Sequence, residues 1–194
     1  MKTTALLLID LQNDYFPGGR MELAGADKAL QNARSLLRFA RKEKMTVTFM
    51  RHQAVQPGAT FFLPGTKGVQ IHDALVPLAH EPVMDKNFPN SFRQTALEKY
   101  LKSRNISQLL LCGMMSHMCV DATTRAAFDK NFTCILAHDA CATTSLQFLD
   151  KTIGAEQVHG SFMAALGARY AKVATTTDCI DFLTKLSARQ KKER

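Results

Sequence analysis

The chain has 194 residues, of which 46% are hydrophobic, with five cysteines and a formal net charge of +8. This composition is typical of a globular protein, and no apolar run approaches the roughly 18 residues of a membrane span. Part of the positive charge lies in the tail Arg189–Arg194, and no basic stripe is interleaved with aromatic residues. We therefore expect neither a nucleic-acid partner nor a membrane partner. The first apolar run, 5–9, is too short for the apolar region of a signal peptide, so we expect a cytoplasmic location. An odd number of cysteines without a CxxC pair favours reduced thiols.

Short apolar runs alternate along the chain with segments of helical periodicity. The predicted strands are 5–10, 46–51, 82–86, 108–112, 133–137 and 171–175, and the predicted helices are 27–44, 92–103, 117–130, 155–169 and 178–187. This alternation predicts right-handed crossovers and a three-layer α/β sandwich around a mostly parallel, Rossmann-like, six-stranded sheet. We expect one domain over 1–187 and a basic, disordered tail over 188–194. The connection 52–81 has little regular pattern and is expected to overhang the site.

Three residues that can carry chemistry lie at predicted strand ends, where ligands bind in such sheets. Asp10 closes the first strand, Lys86 closes the third, and Cys119 follows the fourth at the start of a helix. A helix start is expected to lower the pKa of a thiol, so Cys119 is the candidate nucleophile, with Asp10 as base. The backbone amides of Met115 and Cys119 are the candidate oxyanion donors. The alternatives are a structural buried cysteine, a salt-bridged or capping aspartate and a surface lysine.

Other side chains are candidates for the wall of a substrate pocket, or alternatively for the core or the packing of the long connection. They are Gln12, Phe16, His52, Phe61, Phe62, Phe88 and His117. The six histidines are scattered singly without an HxxxH or HxH pair, and neither a GxGxxG nor a Walker pattern is present. The sequence therefore predicts no metal and no cofactor.

Three segments in order resemble the isochorismatase-like cysteine hydrolase superfamily, which includes nicotinamidases and N-carbamoylsarcosine amidases. They are LLLIDLQNDYF with Asp10, KNFPNSF with Lys86, and GMMSHMCVDATTRAAFDKNF with Cys119. The segment MRHQAVQPGATFF lacks the Asp-x-His and further histidines that hold a metal in nicotinamidases. It is more similar to metal-free members of the streptothricin hydrolase kind.

The resemblance implies an amidohydrolase with a catalytic triad, in which Cys119 attacks an amide-type carbonyl, Asp10 moves the proton and Lys86 supports the charged pair. It also implies a cis peptide bond between Met114 and Met115, and a homo-oligomer, either dimer or tetramer, with a small-molecule substrate. Two other functions stay open. One is vinyl ether hydrolysis with Asp10 as the acid, and the other is a ligand-binding or scaffold protein without turnover.

Overall fold

The computed structural model describes residues 3–192, and the side-chain surroundings of residues 3–188. The strands are β1 (Thr3–Ile9), β2 (Thr46–His52), β3 (Val83–Lys86), β4 (Ile106–Met114), β5 (Thr133–Ala142), β6 (Leu146–Phe148), β7 (Lys151–Ile153) and β8 (Ala171–Ala174). Six of them form one parallel sheet in the order β3-β2-β1-β4-β5-β8. The predicted six-stranded parallel sheet is confirmed.

Helices cover both faces of this sheet. They are α1 (Ala26–Lys42), α2 (Leu97–Ser103), α3 (Asp121–Asp129), α4 (Ala155–Arg169) and α5 (Thr176–Lys192). Successive side chains of β1 point to opposite faces, so Leu6 and Leu8 pack in the core that includes α1 and α5, while Leu7 and Ile9 pack in the core that includes α2 and α4. Because both faces are buried, the strand reads as a continuous apolar run.

The second helix begins later than the predicted 92–103. Gln94 has a φ of 56°, in the left-handed region that interrupts a right-handed helix, and Thr95 Oγ1 donates to the carbonyl of Ser91. The helix therefore begins only at Leu97. Strands β6 and β7 were not predicted. They form a separate antiparallel hairpin of three residues each, too short to produce a sequence pattern.

Helix α5 reaches Lys192, so most of the predicted tail 188–194 lies within this helix, and residues 193 and 194 lie outside the described residues. Across residues 3–192, no helix combines the length and apolar character needed to cross a bilayer.

Backbone hydrogen bonds fasten the second half of the long connection after β2 to the chain that follows β1. Asn13 N donates to the carbonyl of Gln70, Asp14 N to that of Gly68, and His72 N to that of Leu11. The Asp14 carboxylate accepts a further bond from the backbone N of Phe62. The connection is therefore an ordered wall beside the end of β1.

Candidate active site

The order of the strands places the candidate site beside β1. The chain passes from β1 to β2 on one side, and β4 then lies on the other side of β1. Ligands bind at such a reversal, beyond the carboxyl ends of the strands. Asp10 follows the last residue of β1, and its φ of 51° turns the chain there.

Gly113 allows β1 and β4 to approach each other at this edge. A Cβ on Gly113 would lie 1.9 Å from the carbonyl oxygen of Ile9, and its φ is +134°. Only glycine fits this backbone position without a shift. The close approach places the turn after β4, which carries Cys119, against the end of β1, which carries Asp10.

The ammonium of Lys86 lies at the centre of the site. Its Nζ is 2.7 Å from Asp10 Oδ2, 3.2 Å from Cys119 Sγ and 3.2 Å from His52 Nδ1, and it donates to the carbonyl of Phe88 at 3.1 Å. The side chains of Lys86 and Asp10 are fully buried, and Cys119 is 6% exposed. The structure thus brings the three predicted catalytic residues together, and Lys86 is not a surface lysine.

The charges of this cluster set its pKa values. Burial raises the pKa of the Cys119 thiol, the Asp10 carboxylate raises it further, and Lys86 lowers it in part. The sequence predicted a lowered pKa for this thiol, whereas it is raised, because desolvation and the Asp10 carboxylate outweigh the ammonium. Burial lowers the pKa of Lys86, but Asp10 and Cys119 more than offset this, so its pKa is raised and the ammonium stays charged.

Cys119 lies in a single π-helical turn, Ser116–Val120, that leads into α3. The peptide bond between Met114 and Met115 is cis, as the resemblance implied. Ser116 Oγ contacts the carbonyl of Ala142 and, at 2.8 Å, Nδ1 of His159. The turn is therefore fixed from the side of β5 and α4.

The segment after Lys86 is fastened to the helix after Cys119. Thr123 Oγ1 accepts from the backbone N of Ser91 at 3.0 Å and lies 2.8 Å from Ser91 Oγ. Both side chains are fully buried. This pair of hydroxyls holds the segment that follows Lys86 against the helix that follows Cys119. It thereby keeps the two side chains close together although 33 residues separate them.

Two of the predicted pocket residues lie at the cluster. His52 is half-buried, ends β2 and pairs in register with Lys86. Gln12 is fully buried, and its amide donates to the carbonyls of His52 and Val69 while its oxygen accepts from the backbone N of His52. Gln12 thus holds other residues in place, and its side-chain bonds are all made to protein.

The predicted aromatic residues divide into two groups. Phe61 and Phe62 pack with Tyr15, and the Phe62 ring lies 6.0 Å from that of His52. Phe88 supplies its carbonyl to Lys86, and Arg93 covers its ring. The ring of Phe16 instead packs against His72, on the side of the long connection.

The remaining predicted pocket residue, His117, lies within the nucleophile turn, and its side chain contacts helix α4 and the residue that follows β5. Its Nδ1 is 2.5 Å from Thr143 Oγ1, and its ring faces Phe162. This contact fixes the imidazole against the chain that follows β5.

Tyr15 lies beside the site although the sequence analysis did not identify it. Its ring packs against Phe62, which lies next to His52. Burial raises the pKa of Tyr15, and the charges of Cys119, Asp10 and Asp14 raise it further. Tyr15 lies five residues after Asp10, outside the predicted strand, so the strand pattern did not identify it. The one sequence feature that indicates it is the pair of aromatic residues, 15 and 16, at the end of the first motif.

Three potential metal ligands converge here, which the spacing of the histidines did not indicate. The ligand atoms of Asp10, His52 and Cys119 lie within 4.8 Å of one another. However, the Lys86 ammonium is within 3.2 Å of each of these residues and takes the position of a cation. The cluster therefore fits a metal ion only if Lys86 leaves it.

A parallel sheet with a buried aspartate, lysine and cysteine at the point where the strand order reverses is the architecture of a class of hydrolases. Comparisons with known proteins agree with this class. The isochorismatase domain model matches residues 4–178. The chain belongs to the isochorismatase family.

Individual relatives are similar over most of the chain. The isochorismatase family protein YddQ of Bacillus subtilis is 49% identical over 90% of this chain and 97% of its own. A streptothricin hydrolase of Streptomyces noursei is 31% identical over 88% of this chain and 64% of its own. A solved isochorismatase-family hydrolase from Oleispira antarctica superposes with a TM-score of 0.89 at 44% identity, over 93% of this chain and 97% of its own.

Proposed function

We propose that this protein is a cysteine-dependent hydrolase of a small amide, lactam or ureido compound, acting through an acyl-enzyme on Cys119. The observation that carries this proposal is the position of the Lys86 ammonium, which contacts both the Asp10 carboxylate and the Cys119 sulfur inside the protein. A buried cation between a base and a thiol stabilises the thiolate that forms when the base takes the proton. The name of the streptothricin hydrolase relative supports the substrate class.

In the first half of the reaction, Asp10 accepts the thiol proton as Cys119 Sγ forms a bond to the carbonyl carbon. The amides of Met115 and Cys119 donate to the oxyanion, and the C–N bond then breaks as the leaving nitrogen takes the proton from Asp10. In the second half, Asp10 accepts a proton from water, whose oxygen attacks the thioester. The C–S bond breaks, the acid product leaves, and Asp10 returns its proton to the Cys119 sulfur. Lys86 stays charged throughout and balances the anion of each stage.

The ion pair favours this reaction over vinyl ether hydrolysis. A carboxylate paired with an ammonium at 2.7 Å is a proton acceptor, which attack by a thiol requires. Protonation of a vinyl ether would require the same group to begin as an acid. A scaffold protein would have no need for a buried charge pair, whose desolvation costs several kcal/mol.

The test is a screen of amides, lactams and carbamoyl compounds for release of ammonia or acid, followed by mass spectrometry of the acid-quenched reaction. We expect an acyl adduct on Cys119 and a loss of turnover in Cys119→Ala. The matched control is Cys134→Ala, which removes a buried thiol at the start of β5, where that strand pairs with residues 108 and 109. Full turnover in Cys119→Ala, or turnover without an adduct, would contradict the proposal.

A further inference from the structure

The ammonium of Lys86 has more acceptors around it than it has N–H groups. It has three protons to donate, whereas Asp10 Oδ2, Phe88 O, Cys119 Sγ and His52 Nδ1 all lie within 3.2 Å of it. Because an ammonium can only donate, a proton on His52 Nδ1 would set two donors against each other at 3.2 Å, so the tautomer with a lone pair on Nδ1 is favoured. A neutral His52 therefore carries its proton on Nε2, the other ring nitrogen.

The Lys86 ammonium, 3.2 Å from His52 Nδ1, opposes a second positive charge on the imidazole, and further contacts hold His52 in place. Burial lowers its pKa and the charge of Lys86 lowers it further, against a smaller opposite effect of Asp10. Gln12 binds the backbone N and carbonyl of His52 with its amide, at 2.7 and 2.8 Å. Phe62 packs beside the ring. The direction of the Nε2–H bond is thus set by the protein.

The Nε2–H of His52 has no acceptor among the residues whose side-chain surroundings are described. Asp10, Lys86 and Cys119 are buried, whereas His52 is half-buried and is therefore the most exposed member of the cluster. One of its two ring nitrogens lies within 4.8 Å of the Cys119 sulfur, so the imidazole as a whole lies next to the nucleophile. An imidazole next to the nucleophile thus keeps one N–H that is not used by the described part of the protein.

We propose that His52 positions the substrate, with its Nε2–H donating a hydrogen bond to an oxygen or nitrogen atom next to the carbonyl that Cys119 attacks. This inference rests on the proposed hydrolase function and narrows its substrate class. The substrate is an amide, lactam or ureido compound that carries a second acceptor adjacent to the scissile carbonyl. A compound without that acceptor leaves the N–H unpaired in a desolvated site and binds less well.

Two substitutions separate this role from a role in holding Lys86. His52→Asn keeps an acceptor oxygen at the position of Nδ1, toward Lys86, and has no group at the position of Nε2. His52→Gln reaches the position of Nε2 with an amide N–H and lacks the acceptor at Nδ1. The pair therefore removes either the donor to the substrate or the acceptor of the lysine.

The test uses two thiol reagents, so that its result does not depend on finding the substrate. Iodoacetamide carries a carbonyl next to the carbon that the sulfur attacks, and methyl iodide carries no acceptor. In both reactions an S–C bond forms, the C–I bond breaks, iodide leaves and the thiol proton is lost. The measured quantity is the ratio of the two alkylation rates at Cys119, by mass spectrometry, relative to the same ratio for free cysteine.

We expect the rate ratio of iodoacetamide to methyl iodide, relative to free cysteine, to be about 10 in the wild type. The ratio should stay raised in His52→Gln and fall to about 1 in His52→Asn. An unchanged ratio in His52→Asn, or equal slowing of both reagents, would overturn the proposal, since His52 would then act through Lys86 alone. A ¹⁵N spectrum of the wild-type imidazole gives an independent check, because a proton on Nδ1 is incompatible with the proposal. Failure of the hydrolase itself shows separately, as absence of turnover with these ratios intact.

Discussion

Two consecutive residue pairs of strands β2 and β3 point to opposite faces of the sheet and differ in burial. Arg51 and Asp85 form a bidentate ion pair at 2.6 and 2.9 Å, with 25% and 44% of their side chains exposed. The next pair, His52 and Lys86, points inward, where Lys86 meets the buried Asp10. Burial, and not the distance between charges, determines what each ion pair does. The outer ion pair, Arg51–Asp85, is partly exposed to solvent, whereas the buried inner ion pair, Lys86–Asp10, changes the pKa of the Cys119 thiol.

Loss of the inner cation should have the largest effect. Lys86→Met leaves the Asp10 carboxylate buried without its partner, so we expect the free energy of unfolding to fall by about 3 to 5 kcal/mol. The matched change Arg51→Met should lower it by less than about 1 kcal/mol. Denaturant titration of both variants measures the difference. Equal losses would show that the two pairs are equivalent and would remove the basis of the comparison.

Removal of the inner carboxylate should change reactivity and turnover in opposite directions. In Asp10→Asn the thiol loses a charge that raises its pKa, so alkylation of Cys119 by iodoacetamide at pH 7 should be about tenfold faster. Hydrolysis should fall by about 10² to 10⁴-fold, since the base is absent. Asp85→Asn should leave both rates unchanged. A slower alkylation in Asp10→Asn would mean that the carboxylate does not oppose the thiolate.

A change in the backbone next to Asp10 tests the position of the inner ion pair without altering its charge. Gly113→Ala places a Cβ against the carbonyl of Ile9, so we expect a loss of about 3 kcal/mol in the free energy of unfolding and slower alkylation of Cys119. Gly160→Ala, in α4 with no atom within 4 Å of its Cβ, should stabilise by up to about 1 kcal/mol. Thermal unfolding of both variants gives the comparison. A stable Gly113→Ala would show that the two strands can separate freely.

The pH dependence of alkylation tests the raised pKa of Cys119 without any substitution. Because the pKa of Cys119 is raised, the thiolate is the minor form across pH 7 to 9, and its fraction rises by about tenfold for each pH unit. The rate of iodoacetamide modification should follow this slope without a plateau. A plateau near pH 7 would mean that the ammonium of Lys86 outweighs burial.

The sequence predicted the sheet and the catalytic candidates because their signals are local. Asp10 and Lys86 close apolar runs, and Cys119 follows a glycine turn, so each could be placed at a strand end before any contact was known. The burial of Lys86 could not be predicted, because it depends on a lysine side chain that extends past the end of β2 to reach β1. The sign of the change in thiol pKa was missed for the same reason, since desolvation is a property of the packed interior.

Contacts between distant segments account for the other differences between the sequence predictions and the structure. The contact of His52 with Lys86 follows from the register of β2 against β3, which no motif encodes. Gln12 reads as a pocket residue from its place near Asp10, yet its amide is used up by the backbone of His52 and Val69. The late start of α2 depends on a left-handed Gln94 that helical periodicity does not reveal.

The fastening of the long connection has a consequence for how its sequence can vary. Residues 68–72 pair with the backbone of residues 11–14, so an insertion there would displace the chain that leads away from Asp10. The exposed stretch 55–58 lies between Ala54 and Phe62, which close it with their own backbone bond at 3.0 Å. This stretch can lengthen or shorten without disturbing the charge cluster. Engineered insertions are therefore better tolerated at 55–58 than at 68–72.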